Sequence, residues 1–300
     1  MTDRAQTLAQ WQRAFIASHR LPEAYPLAIE ANLSATSCLS AMGQLGASAP
    51  ALLGIYGAQG SGKSTLAAYL AARFEALESQ YVVVLSLDDF YLTKAERSVL
   101  AHEIHPLLCT RGVPGTHDIG MLNHVLTELL DFRAPVRVPR FDKLKDDRVA
   151  SSQCDYITQA PDLVILEGWC VGVPAQSGTD LAEPCNTLEQ MSDTNGVWRR
   201  YVNHQLAVHY QPAWQRFDQL WGLIAPSFSV VFDWRLEQER RLGELSEVPI
   251  MTPTEIAHFI QHYQRLTEHA LGVVPNCAQL CWRLDHERTM SLISESDDSC

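Results

Sequence analysis

The nine residues that decide the fold of this chain read Gly57-Ala58-Gln59-Gly60-Ser61-Gly62-Lys63-Ser64-Thr65. They fit the pattern G-x-x-x-x-G-K-[ST], in which the backbone N–H groups of a glycine-rich loop surround the phosphates of a nucleotide. An apolar run at 52–56 precedes the loop and predicts a buried strand, and an Ala- and Leu-rich helical pattern follows at 65–78. Because the N-terminus of a helix favours anions, this order predicts that the chain binds a nucleoside triphosphate.

Two side chains of the loop are predicted to act on the nucleotide directly. Lys63 is expected to reach the β- and γ-phosphates of ATP, and the Ser64 hydroxyl is expected to bind Mg²⁺. The backbone from Gly57 to Thr65 completes the predicted nucleotide site. A glycine-rich turn without a ligand is the alternative, and the flanking strand and helix argue against it.

Composition and charge narrow the class of protein. The 300 residues include 46% apolar and 19% charged residues, as in ordinary globular proteins. A net charge of −12 argues against sequence-independent nucleic-acid binding and against docking on an anionic membrane. No apolar run reaches the length of a membrane span, and the first residues lack the apolar core of a signal peptide. Eight cysteines without disulfide or zinc spacing favour a reduced, cytoplasmic protein.

The rest of the pattern predicts an α/β fold, a P-loop NTPase-type parallel sheet covered by helices on both faces. Residues 1–49 are predicted to form an N-terminal helical extension, residues 50–290 the nucleotide-binding domain, and residues 291–300 a disordered acidic tail. Helical patterns separate most of the strand candidates, which are Tyr81–Leu87, Val136–Phe141, Leu163–Leu166, Ser229–Phe232 and Gln279–Leu284. The helical patterns lie at Met121–Phe132, Gly196–Tyr210, Leu236–Leu245 and Thr252–Leu271.

Two of the predicted strands end in acidic residues. One runs into Asp88 and Asp89, and another into Glu167-Gly168. Parallel strands bring their carboxyl ends to the ligand crevice, so these acids are expected beside the phosphates. Asp88 is predicted to take a proton from a substrate hydroxyl or to hold a water on Mg²⁺, and Glu167 to join the magnesium shell. For Asp88 the alternative is a strand-end turn in which Asp caps a helix.

These motifs, in this order, resemble those of the phosphoribulokinase/uridine kinase/pantothenate kinase superfamily, whose members phosphorylate a hydroxyl of a small metabolite. The resemblance implies that Asp88 is the base or orients the accepting hydroxyl, and that Glu167 helps to place the metal. The chain resembles in particular the D-glycerate 3-kinase family of plants and yeasts. The stretches that carry this likeness include His105-Pro106-Leu107-Leu108, Arg111-Gly112-Val113-Pro114-Gly115-Thr116-His117-Asp118 and Glu167-Gly168-Trp169-Cys170-Val171-Gly172.

The implied substrate is a small hydroxy acid, which requires a fixed cation for its carboxylate. Arg111 is the predicted partner, because a guanidinium binds a carboxylate through two N–H groups. His117 is predicted to hydrogen-bond the carboxylate or a hydroxyl, or else to belong only to a helix start. Asp142 is predicted to hold substrate hydroxyls and Lys143 to neutralise the transferring phosphoryl group, with a surface ion pair as the alternative.

A further cation is expected on a lid, because phosphoryl transfer spreads negative charge over the moving group. Arg235 fits the Trp-Arg motif of the resembled family, and Arg240 and Arg241 are alternatives on the same helix. The sequence therefore predicts a kinase that uses ATP and Mg²⁺ to phosphorylate D-glycerate. A kinase acting on pantothenate, a nucleoside or a sugar stays open, as does a regulator that uses ATP as a switch. Neither nucleic acid nor a membrane is a predicted partner.

Overall fold

A six-stranded sheet forms the centre of the structure, a computed structural model that describes residues 2–47, 50–245 and 251–293. The strands are β1 (Ala51–Gly57), β2 (Val82–Ser86), β3 (Val136–Val138), β4 (Phe141–Asp142), β5 (Asp147–Arg148), β6 (Asp155–Ile157), β7 (Leu163–Gly168), β8 (Gln219–Ile224), β9 (Leu280–Leu284) and β10 (Met290–Leu292). The spatial order in the sheet is β10-β9-β8-β1-β7-β2, and only the β9–β10 pair is antiparallel. The remaining strands pair as two small ribbons, β3 with β6 and β4 with β5.

Helices connect the strands of the sheet. They are α1 (Thr2–His19), α2 (Tyr25–Leu33), α3 (Thr36–Ala47), α4 (Lys63–Glu78), α5 (Lys94–Glu103), α6 (Ile119–Leu130), α7 (Thr187–Ser192), α8 (Val197–Gln205), α9 (Gln211–Trp214), α10 (Phe228–Leu245) and α11 (Pro253–Cys277). One π-helical turn, Leu206–Tyr210, joins α8 to α9. Among the described residues, no helix is both long enough and apolar enough to cross a bilayer.

Apolar side chains from both faces of the sheet are buried, as the sequence predicts. Alternate residues of a strand point to opposite faces. In β1, Leu52 and Tyr56 join a core cluster with residues of α6 and α11, whereas Leu53 and Ile55 join a second cluster with residues of α3 and α4. The parallel sheet with helices on both faces is thereby confirmed.

The N-terminal region is helical, as the sequence predicts, and consists of the three helices α1, α2 and α3. These helices pack on the same side of the sheet as α4, and their buried residues belong to the same cluster as those of β1. A hydrogen bond of 3.0 Å from Gln12 to the Tyr69 hydroxyl and an ion pair between Arg73 and Glu30 link them to α4. The boundary at residue 49 stays a prediction.

One predicted strand is wrong, and another, predicted at 136–141, is split into β3 and β4 in the two small ribbons outside the six-stranded sheet. Residues 229–232 belong to helix α10, where Val230, Val231 and Trp234 are buried at helical spacing and Asp233 is exposed. The strand that pairs with β1 on this side is β8, which the sequence reading does not identify.

At the other end of the chain, β10 continues to Leu292 and pairs with β9. Residues 291 and 292, predicted as part of the tail, therefore lie in the sheet. Residues 294–300 of the predicted tail lie outside the described residues.

Candidate active site

The loop between β1 and α4 has the backbone conformation that its glycines allow. Gly60 and Gly62 have φ angles of 78° and 88°, in the left-handed region that disfavours other residues. A Cβ atom on Gly60 would lie 2.6 Å from the Cβ atom of Trp234 on α10. Glycine at position 60 is therefore required both by the backbone angle and by the close approach of a neighbouring helix.

The acid of β7 meets the first residues of α4. In the parallel register, Glu167 lies opposite Ile55 of β1 and Ser86 of β2, so it reaches the same edge of the sheet as the loop. Its Oε1 atom accepts a hydrogen bond of 2.9 Å from the Ser64 hydroxyl, and its Oε2 atom lies 4.0 Å from the Lys63 Nζ atom. Oε2 is buried and has no hydrogen-bond partner among the described residues.

This pair of oxygen donors suits a hard cation. Mg²⁺ is usually held by one or two protein oxygens together with substrate phosphates and water. The hydroxyl of Ser64 and the buried, unpartnered carboxylate oxygen of Glu167 offer such donors beside the phosphate loop. The residues therefore fit Mg²⁺ in the position that the sequence predicts.

The acid at the end of β2 forms an ion pair at the same edge of the sheet. Asp88 Oδ2 lies 2.5 Å from Lys143 Nζ, and Asp88 Oδ1 accepts a hydrogen bond of 2.9 Å from the Tyr91 hydroxyl. Burial opposes ionisation, but the ammonium groups of Lys143 and Lys63 and these hydrogen bonds lower the pKa of Asp88 to about 2. Burial lowers and Asp88 raises the pKa of Lys143, with a net rise. Both partners are therefore charged at neutral pH.

The neighbouring acid, Asp89, serves the scaffold instead. Its carboxylate accepts hydrogen bonds from Arg140 Nη1 at 2.5 Å and from the Phe141 backbone at 3.3 Å. Burial raises the pKa of Asp89, and Arg140 partly offsets this rise. Of the adjacent acids Asp88 and Asp89, only Asp88 is among the residues around the phosphate loop.

Arg111 is held in place by three contacts. Its Nη1 atom forms an ion pair with Asp146, its guanidinium lies 5.6 Å from the centre of the Phe141 ring, and its carbonyl accepts a hydrogen bond of 2.9 Å from the Tyr263 hydroxyl. Asp146 is itself paired with the buried Arg97 at 2.9 Å. The guanidinium has five N–H groups, so Asp146 leaves donors available for a further carboxylate.

His117 is buried close to Asp88. Its ring stacks on the Tyr91 ring with centroids 4.5 Å apart, and its Nδ1 atom lies 2.8 Å from the Tyr210 hydroxyl. Burial lowers the pKa of His117 to about 3, against the opposing effect of the Asp88 carboxylate. The imidazole is therefore neutral at physiological pH.

Two predicted site residues have partners of their own. The Asp142 carboxylate accepts backbone hydrogen bonds from Leu144 and Lys145, at 3.0 and 3.2 Å, and so closes the turn between β4 and β5. Arg235 pairs with Glu239 at 2.6 Å within α10. The Arg235 guanidinium lies 6.0 Å from the centre of the Phe259 ring, which packs against Tyr263, the residue bonded to the Arg111 carbonyl, so it borders the same cluster.

Several residues of the cluster are missing from the sequence prediction. Tyr91 follows the Asp88-Asp89 motif after one residue, and its position three residues after Asp88 could have been a signal. Tyr210 and Tyr263 come from distant helical segments without a motif. Arg288, in the β9–β10 turn, donates a hydrogen bond of 2.6 Å to the Gly60 carbonyl of the phosphate loop, and nothing in the local sequence indicates this contact.

The phosphate loop, the two strand-end acids Asp88 and Glu167 and their cations together define a P-loop kinase. Sequence comparison agrees. The uncharacterized kinase mug58 of Schizosaccharomyces pombe is 38% identical over 240 residues, which cover 77% of this chain and 84% of that protein. This chain belongs to the same family of P-loop kinases, in the phosphoribulokinase/uridine kinase/pantothenate kinase superfamily. No protein-family model matches it.

Two further likenesses, one to a curated sequence and one to a solved structure, are found. The probable ATP-dependent kinase TDA10 of Saccharomyces cerevisiae is 28% identical over 243 residues, covering 73% of this chain and 77% of that protein. The solved structure of a D-glycerate 3-kinase from Cryptococcus neoformans superposes with a TM-score of 0.71 at 24% identity, covering 87% of this chain and 98% of that one. The second likeness establishes the shared fold.

The phosphate loop yields the first prediction. Gly60→Ala should weaken ATP binding at least about tenfold, because the left-handed backbone angle and the contact with Trp234 both disfavour a Cβ atom. Isothermal titration calorimetry measures the effect. Gly43→Ala in α3, where an added Cβ atom would have open space, is the control and should leave ATP affinity unchanged. Equal ATP affinity in the wild type and Gly60→Ala would contradict the prediction.

Proposed function

We propose that this kinase transfers the γ-phosphoryl group of ATP to a hydroxyl of D-glycerate. The observation that carries the proposal is the guanidinium of Arg111 in the same cluster as the Asp88–Lys143 pair. Arg111 is a cation suited to a carboxylate, and Asp88 is an acceptor suited to a hydroxyl. A small hydroxy acid has both of these groups a few bonds apart.

The motif likeness to D-glycerate 3-kinases supports the same substrate. It includes the stretch from Arg111 to His117, and these two residues flank the loop that approaches Tyr263 and Tyr210. The fold shared with the D-glycerate 3-kinase from Cryptococcus neoformans is compatible with this assignment.

The nucleotide end of the proposed reaction uses the phosphate loop. Lys63 lies at the first turn of α4, where its ammonium group and the backbone N–H groups would bind the β- and γ-phosphates. Ser64 and Glu167 are the proposed holders of Mg²⁺. When bound, Mg²⁺ would neutralise charge on the phosphate oxygens.

Asp88 is proposed to orient the accepting hydroxyl. With a pKa of about 2, the carboxylate is ionised over the whole physiological range and is a weak base. The Asp88 carboxylate would accept a hydrogen bond from the substrate hydroxyl. This bond would aim a lone pair of the hydroxyl oxygen at the γ-phosphorus, which is the main requirement for an in-line transfer. Lys143, paired with Asp88, is proposed to balance the charge of the transferring group.

Arg235 is the proposed lid arginine, because its guanidinium lies at the border of the cluster. The side chain of Arg240 is exposed, and that of Arg241 lies outside the described residues. Asp142 is left out of the proposed site, since its carboxylate is occupied by its own turn. The cytoplasm is the proposed location, on the evidence of cysteines that have free thiols wherever the structure describes them.

A substrate panel tests the proposal. ADP release with Mg-ATP is measured with D-glycerate, pantothenate, uridine and a simple sugar, and L-glycerate is the matched stereochemical control. D-glycerate should stimulate ADP release strongly, and NMR of the product should identify a phosphoglycerate. Stimulation by another alcohol alone would move the assignment to that substrate. ATP binding without stimulation by any member would favour a nucleotide-dependent regulator.

A second prediction concerns the hydroxyl. Asp88→Asn should lower kcat at least about 100-fold while the Kd for ATP stays unchanged, because the amide lacks the charge that orients the hydroxyl and pairs with Lys143. Steady-state kinetics and ATP titration measure the two effects. Asp89→Asn is the matched control, since it removes the adjacent carboxylate that bonds Arg140. A kcat that stays within a factor of a few in Asp88→Asn would refute the role.

A third prediction concerns the carboxylate. Arg111→Lys keeps the charge but loses the two-pronged geometry, so the KM for D-glycerate should rise about tenfold and the KM for ATP should not change. Arg133→Lys, an exposed arginine paired with Asp131, is the control. Equal increases in both KM values would instead indicate that Arg111 acts through Asp146 and the loop structure.

A further inference from the structure

His117, one of the predicted substrate residues, is buried and held by a fixed frame of hydrogen bonds and ring contacts. Backbone hydrogen bonds join residue 92 to 116 and residue 118 to 90, and this pairing places His117 beside Tyr91. Only 5% of the surface of His117 is exposed, and its ring lies flat against that of Tyr91. The Tyr91 hydroxyl donates to Asp88, so His117 stacks on a residue that touches the proposed hydroxyl-orienting acid.

Tyr210 links this histidine to the backbone. Its hydroxyl oxygen accepts a hydrogen bond of 2.9 Å from the Gly115 N–H group and lies 2.8 Å from the His117 Nδ1 atom. Tyr210 is fully buried. It comes from the π-helical turn between α8 and α9, a kind of irregularity that is frequent at functional sites.

The hydrogen-bond inventory decides which nitrogen of His117 carries the proton. A tyrosine hydroxyl has one proton to donate. If Nδ1 were protonated, the Tyr210 oxygen would face two N–H groups, and its own proton would have no acceptor among the described residues. If Tyr210 instead donates to Nδ1, every group in the chain of bonds is satisfied. In a neutral imidazole, the proton then resides on Nε2.

The Nε2 atom of His117 is the last donor in this series of hydrogen bonds. It is buried and has no hydrogen-bond partner among the described residues. A buried N–H group without an acceptor destabilises the protein, and a ligand oxygen at this position would remove that cost. Burial keeps the pKa of His117 near 3, so Nε2–H is a neutral donor, and His117 stacks on Tyr91, the residue that donates to the Asp88 carboxylate.

We propose that Tyr210 is a positioning residue that holds His117 as the Nε2–H tautomer, so that the imidazole donates a hydrogen bond to an oxygen of the acceptor substrate. The inference rests on the proposed function in one respect, that the acceptor binds beside Asp88. A neutral donor there selects an oxygen acceptor, either carboxylate or hydroxyl, without adding a positive charge to the site.

The tautomer can be measured without any substrate. In the full chain labelled with ¹⁵N-histidine, NMR correlations between ring nitrogens and ring protons identify the protonated nitrogen, and loss of one signal set in His117→Gln assigns His117 among the 11 histidines. We expect Nε2–H in the wild type and a mixture of tautomers in Tyr210→Phe. A proton on Nδ1 in the wild type would overturn the proposal, whatever the enzyme phosphorylates.

Kinetics test the link to the substrate. With the alcohol that the panel identifies, Tyr210→Phe should raise the KM for that alcohol about tenfold and leave the KM for ATP unchanged. Tyr69→Phe is the matched control, because Tyr69 is equally buried and its hydroxyl also joins two hydrogen bonds, but to residues of the N-terminal helices. Unchanged KM for the alcohol in a Tyr210→Phe protein with mixed tautomers would overturn the proposal.

A second pair of variants covers the case in which Tyr210→Phe does not fold. The amide nitrogen of glutamine reaches about as far as Nε2, whereas that of asparagine reaches only about as far as Nδ1. His117→Gln should therefore retain more affinity for the alcohol than His117→Asn, and the reverse order would overturn the assignment. If D-glycerate is not the substrate, the panel shows it, while the NMR result still decides the tautomer.

Discussion

The hydrogen bond between Ser64 and Glu167 is the contact on which the arrangement of the site depends. It joins the first turn of α4 to the end of β7, and it forms only because β1 and β7 are parallel neighbours in a register that aligns Tyr56 with Gly168. The same sheet brings Asp88 of the next strand to this edge. A shift of one residue in the register would turn these acids towards the opposite face of the sheet.

The candidate site is rich in cations, although the protein as a whole is negatively charged. The chain has a net charge of −12, yet Lys63, Lys143, Arg111 and Arg235 gather around Asp88 and Glu167. Both substrates of the proposed reaction are anions, so the local excess of cations matters more for their binding than the total charge does. Asp88 pairs with Lys143 and Glu167 with Lys63, whereas Asp146 and Glu239 hold Arg111 and Arg235, so each cation has an acidic partner before the substrates arrive.

The parts of the structure that could be predicted are those encoded by local patterns. The phosphate loop has a fixed spacing of glycines and a lysine, and β2 and β7 are apolar runs that end in acids, so each is recognisable without tertiary contacts. Residues 229–232 were mistaken for a strand because Val and Phe favour strands, but the burial of Val230 and Trp234 follows a helical period. The apolar run of β8 is short and contains Gly222, so its periodicity alone does not distinguish a strand from a segment of buried helix.

The aromatic residues behind the two ligand loops could not be predicted, because their role exists only in the folded chain. Trp234 of α10 leaves no room for a Cβ atom at Gly60, and Tyr263 of α11 leaves none at Gly112. Gly60 thus packs against the Cβ atom and backbone of Trp234, and Gly112 packs against the ring of Tyr263. Such backing holds backbone N–H and carbonyl groups in position without the entropy cost of ordering them when a ligand binds. The absence of a side chain at Gly60 and Gly112 therefore matters beyond backbone flexibility, because it lets a residue of a neighbouring helix pack directly against each loop.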